Sequence, residues 1–257
     1  MLIGYGMPAV SSVSLAAGSS WLTSDVGAAL FDGRPARATR IQRSVGNPTL
    51  SITLASPIVV RLVALLGLNL PAGISVTAAG ASGITRRLAD GTVAAWLLAP
   101  PGSATSSISI VIGTAQGIVE IGEVVVMPAV EIAHQADWAV ETIDTTETTR
   151  SLAAQPASSL RVPYRQLTAS FTPDGPQNVR CGGLANNMDW EWLRMALAQD
   201  RRCVAVPRWR GASGGVDAAE LARTAIYGVG RVGAIQHLGG DYYASGITVA
   251  EVPALPQ

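Results

Sequence analysis

The polarity pattern along this chain is one of short strands. Ser107–Ile112 alternates serine with isoleucine, a period of two that leaves one face apolar. Runs of Val, Ile and Thr recur at Ser51–Leu54, Val59–Leu66, Ser75–Ala78 and Thr92–Leu98, bounded by Gly, Pro, Asn or Ser. Gly117–Met127 reads as one more strand. Glu120 and Glu123 fall on its opposite faces if it is regular, and a bulge at Gly122 would bring them into line. No helix-length period appears before Met127, so the pattern predicts an antiparallel β-sandwich or jelly roll over residues 1–128.

Ile58–Leu70 (IVVRLVALLGLNL) has thirteen residues and one charge. A membrane span needs about 20 apolar residues, and Pro57, Arg61 and the Asn69-Leu-Pro71 turn interrupt this one. It is expected to be a central strand and its turn, covered on both faces. The N-terminal segment lacks the basic region of a signal peptide, so it is read as mature protein made in the cytoplasm, with Cys181 and Cys203 as reduced thiols.

After Pro128 the pattern changes, and residues 129–257 are expected to form a second, β-rich α+β unit. Glu141–Arg150 (ETIDTTETTR) is polar and strand-prone, suiting an exposed ribbon. Ala153–Ser159 reads as a small-residue loop and Arg161–Phe171 as a strand. One helix is expected near residues 188–200, capped by Asn187 or Asp189, with Glu191 in its first turn and Arg201 and Arg202 at its end. Val204–Trp209 is a strand and Gly211–Gly215 a flexible loop. Ala225–His237 and Tyr242–Glu251 form a hairpin closed by Gly239-Gly-Asp241.

Composition narrows the function. Lys plus Arg (18) balance Asp plus Glu (18), so no net field draws nucleic acid or an anionic membrane. Charged residues make up only 14% against 48% hydrophobic, where about a quarter is usual. That shortage predicts a surface covered by other subunits. Six tryptophans stand against two phenylalanines. Four of them (Trp138, Trp190, Trp192, Trp209) lie among the arginines of the second half, the residue types that interface cores favour.

The inventory for catalysis is thin. His134 and His237 have Asp137 and Asp241 nearby, but no G-x-S-x-G nucleophile turn accompanies them. Cys181, Cys203 and the two histidines have no metal-ligand spacing. Gly228-Val-Gly230-Arg-Val-Gly233 matches G-x-G-x-x-G inside a predicted strand, where a dinucleotide site needs a strand-to-helix turn. These glycines are therefore read as sheet positions facing bulky neighbours or another subunit. No catalytic residue, cofactor or metal is expected, and the chain is read as a non-enzyme.

Two ordered series of motifs resemble a known family. Asp32-Gly-Arg34-Pro35 with Arg40, then Leu50–Leu54, then Leu65-Leu-Gly-Leu-Asn-Leu70 and Ala72-Gly-Ile-Ser-Val resemble the discoidin-like (galactose-binding-like) β-sandwich modules of long-tailed bacteriophage tail proteins. Leu68 stands where histidine is common in that pattern. RVPYRQLTASF (161–171), the helix leading to RRCVAVPRW (201–209), and the closing ARTAIYGVGRV and GDYYASGITVAEV resemble tail-tip and distal-tail components. The resemblance implies a virion structural protein, located in the tail, forming a hexameric or trimeric ring around the tail axis. Its partners would be copies of itself and other tail-tube or tail-tip proteins. A carbohydrate-binding module is the alternative, with a host glycan as ligand; its site would need Trp21 or Trp96 exposed at a loop tip, whereas Trp96, mid-strand in VAAWLL, is read as core. The expected subunit contact sets the carboxylates Glu141, Asp144 and Glu147 of one copy against Arg201, Arg202, Arg208 and Arg210 of the next, with Arg194 beside them and Gly211–Asp217 as a second contact loop.

Overall fold

The computed structural model describes residues 1–24, 26–144, 146–150, 156–159, 162–199 and 201–254. It is mainly β and is built in layers. The outer sheet of the N-terminal half has five strands, in the order Val10–Leu15, Thr49–Ile58, Thr105–Gly113, Ser75–Ala78, Ala81–Ile84, all antiparallel. Thr105–Gly113 shows the expected alternation, with Ile108, Ile110 and Ile112 buried between exposed or half-buried neighbours. Beneath it lies a four-stranded sheet, Glu123–Met127, Leu62–Leu66, Val93–Leu98, Arg86–Arg87. A three-stranded sheet, Ile118–Ile121, Thr39–Arg43, Ser19–Trp21, completes this half.

The four-stranded sheet has no polar face. All five residues of Leu62–Leu66, all six of Val93–Leu98 and all five of Glu123–Met127 are buried. One face, with Val63, Leu65, Ala95, Leu97, Val124 and Val126, packs on the five-stranded sheet. The other, with Leu62, Ala64, Leu66, Trp96, Val125 and Met127, packs on Leu2, Val204, Val206, Trp209, Leu221 and Tyr227. Leu221 belongs to a short helix and Trp209 to the loop before it; the other four come from a seven-stranded antiparallel sheet, in the order Ala129–Glu131, Leu2–Gly4, Arg202–Val206, Ile226–Val232, Gly246–Glu251, Tyr164–Ser170, Ala139–Ile143. Its far face (Ile3, Ala205, Leu167, Val249) is covered by Trp190, Leu193 and Leu197 of a helix and by Val179 of another. The layers are therefore sheet, sheet, sheet and helices, and one apolar seam joins the two halves.

Several expectations change in detail. The division at Pro128 puts Leu2–Gly4 with the first half, yet this strand pairs with Ala129–Glu131 and Arg202–Val206 in the second sheet. Its alternation explains the placement: Leu2 enters the seam and Ile3 the helix-side core. The expected strand Gly117–Met127 is broken at Gly122. Ile118–Ile121 pairs with Thr39–Arg43, Glu123–Met127 pairs with Leu62–Leu66, and the chain changes sheet between them. A Cβ at Gly122 would overlap the Pro35 carbonyl, so the crossing is closed to larger residues. Val59–Leu66 narrows to Leu62–Leu66.

The helix near 188–200 is Trp190–Ala196, with the Asp189 side chain accepting from the Trp192 N–H at 2.7 Å. It ends at its C-cap Leu197, Gln199 beyond it is left-handed (φ 62°), and Arg202 begins a strand. Ala218–Thr224, between the glycine loop and the hairpin, is a further helix, capped by Asp217, and Ile226–Val232 pairs with Gly246–Glu251 as the hairpin requires. Short helices also occur at Val26–Leu30 and Pro176–Arg180. Pro156–Ser159, expected as loop, is a strand paired with Glu147–Arg150, and residues 151–155 and Arg161 lie outside the described residues.

Neighbouring residues on the middle sheet test the layering. Ala64 and Leu65 face opposite cores, so Ala64→Asp and Leu65→Asp should each cost about 3 kcal/mol or more by burying an unpaired charge. Both variants should be lost from the soluble fraction on expression. A soluble, folded Ala64→Asp protein would contradict the doubly covered sheet.

Candidate functional site

The polar chemistry of this molecule collects along the seam. Glu123 heads the strand that follows the Gly122 crossing and is fully buried (0% exposed). Its Oε2 accepts the Arg34 N–H at 3.0 Å, the Gly33 N–H adds a second bond, and the Tyr227 hydroxyl stands 3.5 Å from Oε1. The turn Asp32–Pro35 of the sandwich is thereby tied to a strand of the seven-stranded sheet. Burial pushes the Glu123 carboxyl up to about 8; the Gly33 N–H opposes this, and nearby Asp32 adds to it. Burial, with the charge of Glu123, also raises the Tyr227 hydroxyl.

The remaining motifs of the resemblance likewise make structural contacts. Arg40 pairs with Glu120 at 2.7 Å. Asn69 donates to the Ile118 carbonyl and accepts the Glu120 N–H at 2.8 Å, stitching the turn after the buried strand to the three-stranded sheet. Leu68 is buried in the sandwich core. Glu120 and Glu123 do not converge: one faces Arg40, the other the seam.

Further along the seam lies a cleft of about 450 Å³. Arg86, Arg87, Leu88, Ile84 and the Ala72-Gly73 turn line one wall; Arg165, Ala219, Ala222 and Arg223 line the other. Arg165 is held in place by Glu251 and by the carbonyls of Arg223 and Ala225. Arg223 meets Glu220 at 2.8 Å. This cleft was not anticipated from sequence, where Arg86-Arg87 is an unremarked pair between two sheet elements.

The residues expected at a subunit contact do not form one patch. Arg208 faces Glu220 at 3.7 Å, and Arg210 meets Glu131 at 2.6 Å with its guanidinium over Trp209. Arg202 lies against Gly33. Arg194 and Arg201 are exposed. Glu141 and Asp144 are exposed at and just beyond the outermost strand of the seven-stranded sheet, while the side chain of Glu147 lies outside the described residues. The Gly211–Asp217 loop is closed by Gly211 N–H to Gly215 O and Asp217 N–H to Trp209 O, and its residues 212–216 are exposed.

The glycan alternative loses its two aromatic candidates. Trp96 is 4% exposed and lies in the seam, and Trp21 packs against the sandwich core. The aromatics most exposed are Trp192 and Tyr242, both in the second half. Cys203 is buried, with its thiol pushed up to about 12, and Cys181 is exposed. His134 sits by the Met1 nitrogen at 2.8 Å and His237 stacks near Tyr243, so these four residues stand apart. Among the described residues no three His, Cys, Asp or Glu side chains are grouped to hold a metal, and no helix is long and apolar enough to cross a membrane. Gly228 and Gly230 are sheet positions: a Cβ would overlap the Ala250 carbonyl at the first and Cys203 Sγ at the second. No family model, curated protein or solved structure matches the chain.

Two measurements check this chemistry. Glu123 has a folded pKa above its ordinary 4.5. Between about pH 4.5 and 8 the folded state therefore holds the extra proton, and stability must fall as pH rises. Tm should decline over that window, and Glu123→Gln should flatten the decline and gain more than about 1 kcal/mol over the parent at pH 8; an unchanged slope would place Glu123 in contact with water. In native protein one thiol, Cys181, should react with a thiol reagent, and both should react after unfolding without reductant. Two rapid native thiols would contradict the burial of Cys203.

Proposed function

We propose that this chain is a structural subunit of the tail tip or baseplate of a long-tailed bacteriophage. In this reading it assembles as a ring around the tail axis and links the tail tube to the adsorption apparatus. The ordered resemblance of both halves to tail modules supports it. The observation that carries it is the edge of the seven-stranded sheet at Ala139–Ile143, which has no further strand paired to it among the described residues. Ala139–Ile143 pairs on one side with Tyr164–Ser170, its first four residues are exposed, and beyond it the chain runs into the two-stranded ribbon Glu147–Arg150 and Pro156–Ser159.

An exposed edge strand is a template for pairing with another chain, and proteins that do not use it usually cover or shorten it. Here it is long enough to pair, bears Glu141 at its centre, and continues into an arm. Contacts of this kind between unlike surfaces of identical copies close into rings when the rotation permits. The low charge of the chain has an internal source in the doubly covered middle sheet, so the assembly reading rests on this edge and arm rather than on composition.

Native mass spectrometry of the purified protein should give a discrete ring, hexamer or trimer, and the protein should co-sediment with tail fractions. Changing Glu141, Asp144 and Glu147 together to lysine should leave the fold intact and reduce ring formation or tail incorporation. Exposed pairs contribute about 0–1 kcal/mol each, so the loss should be larger at low salt. A parent that stays monomeric and absent from tails would sink the proposal.

A further inference from the structure

We propose that the seam cleft is a binding site for a ligand carrying carboxylate or phosphate groups, with Arg86 and Arg87 as its principal anion contacts. This stands independently of the tail-subunit reading. Four arginines line one cavity of about 450 Å³, and no Asp or Glu shares the lining. A volume of that size is within the range of small-ligand pockets.

The four cations are not equivalent. Arg165 is nearly buried and its guanidinium is committed to Glu251 and two backbone carbonyls, so most of its donors and its charge are already engaged. Arg223 shares Glu220 with Arg208. Arg86 and Arg87 have no carboxylate at ion-pair distance among the described residues. Asp217, whose carboxyl feels the charge of Arg86, spends its Oδ1 on the N–H groups of Ala219 and Glu220 as a helix cap. The excess positive charge of the cleft therefore rests on these two adjacent residues.

Their position is fixed by the backbone. Arg86 and Arg87 pair with Ala94 and Val93 at the edge of the middle sheet. Arg86 is half-buried and Arg87 exposed at this edge. A bound anion offsets the unpaired charge of Arg86 and Arg87, and a guanidinium offers it forked donors. Small residues (Ala72, Gly73, Ala89, Ala219, Ala222) leave the floor open, and Ile84 and Leu88 give it an apolar flank. The ligand this fits is a compact di- or trianion with a short carbon skeleton. Arg87 also borders the adjoining cleft under Leu68–Pro71, which would admit a longer ligand.

Citrate is the probe. Isothermal titration of the whole chain at low ionic strength should show saturable binding that weakens in high salt. Arg86→Ala/Arg87→Ala should weaken it by about tenfold or more without lowering Tm in the absence of citrate. Arg194→Ala, which removes an exposed arginine elsewhere, should leave it unchanged. No saturable binding by the parent, or equal binding by the double variant, would overturn the site. Native mass of the same proteins then identifies the source of the anion. An assembly that citrate dissociates, and that the double variant fails to form, places the acidic groups on a second copy. Assembly untouched by citrate or by the double variant, with citrate binding intact, assigns the site to a free solute.

Discussion

The fold depends on a sheet three of whose four strands have no solvent-facing side. Sixteen consecutive-strand positions, in Leu62–Leu66, Val93–Leu98 and Glu123–Met127, are all buried. A sheet covered on one side can leave alternate residues in water; one covered on both sides must be apolar on both faces. Here the second cover is the seven-stranded sheet, which presents Val204, Val206 and Tyr227 to the seam and Cys203, Ala205 and Ile226 to its helices. Neither half can expose its seam face without uncovering a large apolar surface, so the halves are expected to fold and persist as one body.

Within this seam the polar groups act as fasteners. Glu123 is the sole charged residue of the three fully buried strands, and it reaches backbone N–H groups of the Asp32–Pro35 turn on one side and Tyr227 on the other. Its burial is costly as an anion, which is why its carboxyl is pushed up to about 8. Close backbone approach does the rest. The Gly122 crossing against Pro35 and the first strand's Gly4 beneath Leu62 admit no larger side chain without displacement. The motif Asp32-Gly-Arg34-Pro35 thus acts in joining layers.

Much of the N-terminal architecture was legible because short strands carry their own signature. Ser75–Ala78 matches in both bounds, Ser107–Ile112 extends by only a few residues to Thr105–Gly113, and Ile58–Leu70 contains the doubly buried strand expected of its unbroken apolar run. What failed was long-range or local in a different way. Nothing in Leu2–Gly4 says that it pairs with residues some two hundred positions away. The helix Ala218–Thr224 had a signal that went unread, Asp217 followed three residues later by Glu220, masked by the glycines before it. The arginine-lined cleft was illegible for a further reason: it joins Arg86 and Arg87 to Arg165 and Arg223 through a seam that no sequence periodicity encodes.

The claim that the middle sheet makes one body of two halves is tested most directly by native-state amide hydrogen exchange. The slowest amides of Leu62–Leu66 and Val93–Leu98 should share one opening free energy with those of Arg202–Val206 and Ile226–Val232, equal to the global unfolding free energy. Two distinct limits, with the seven-stranded sheet opening while the sandwich remains protected, would contradict the account.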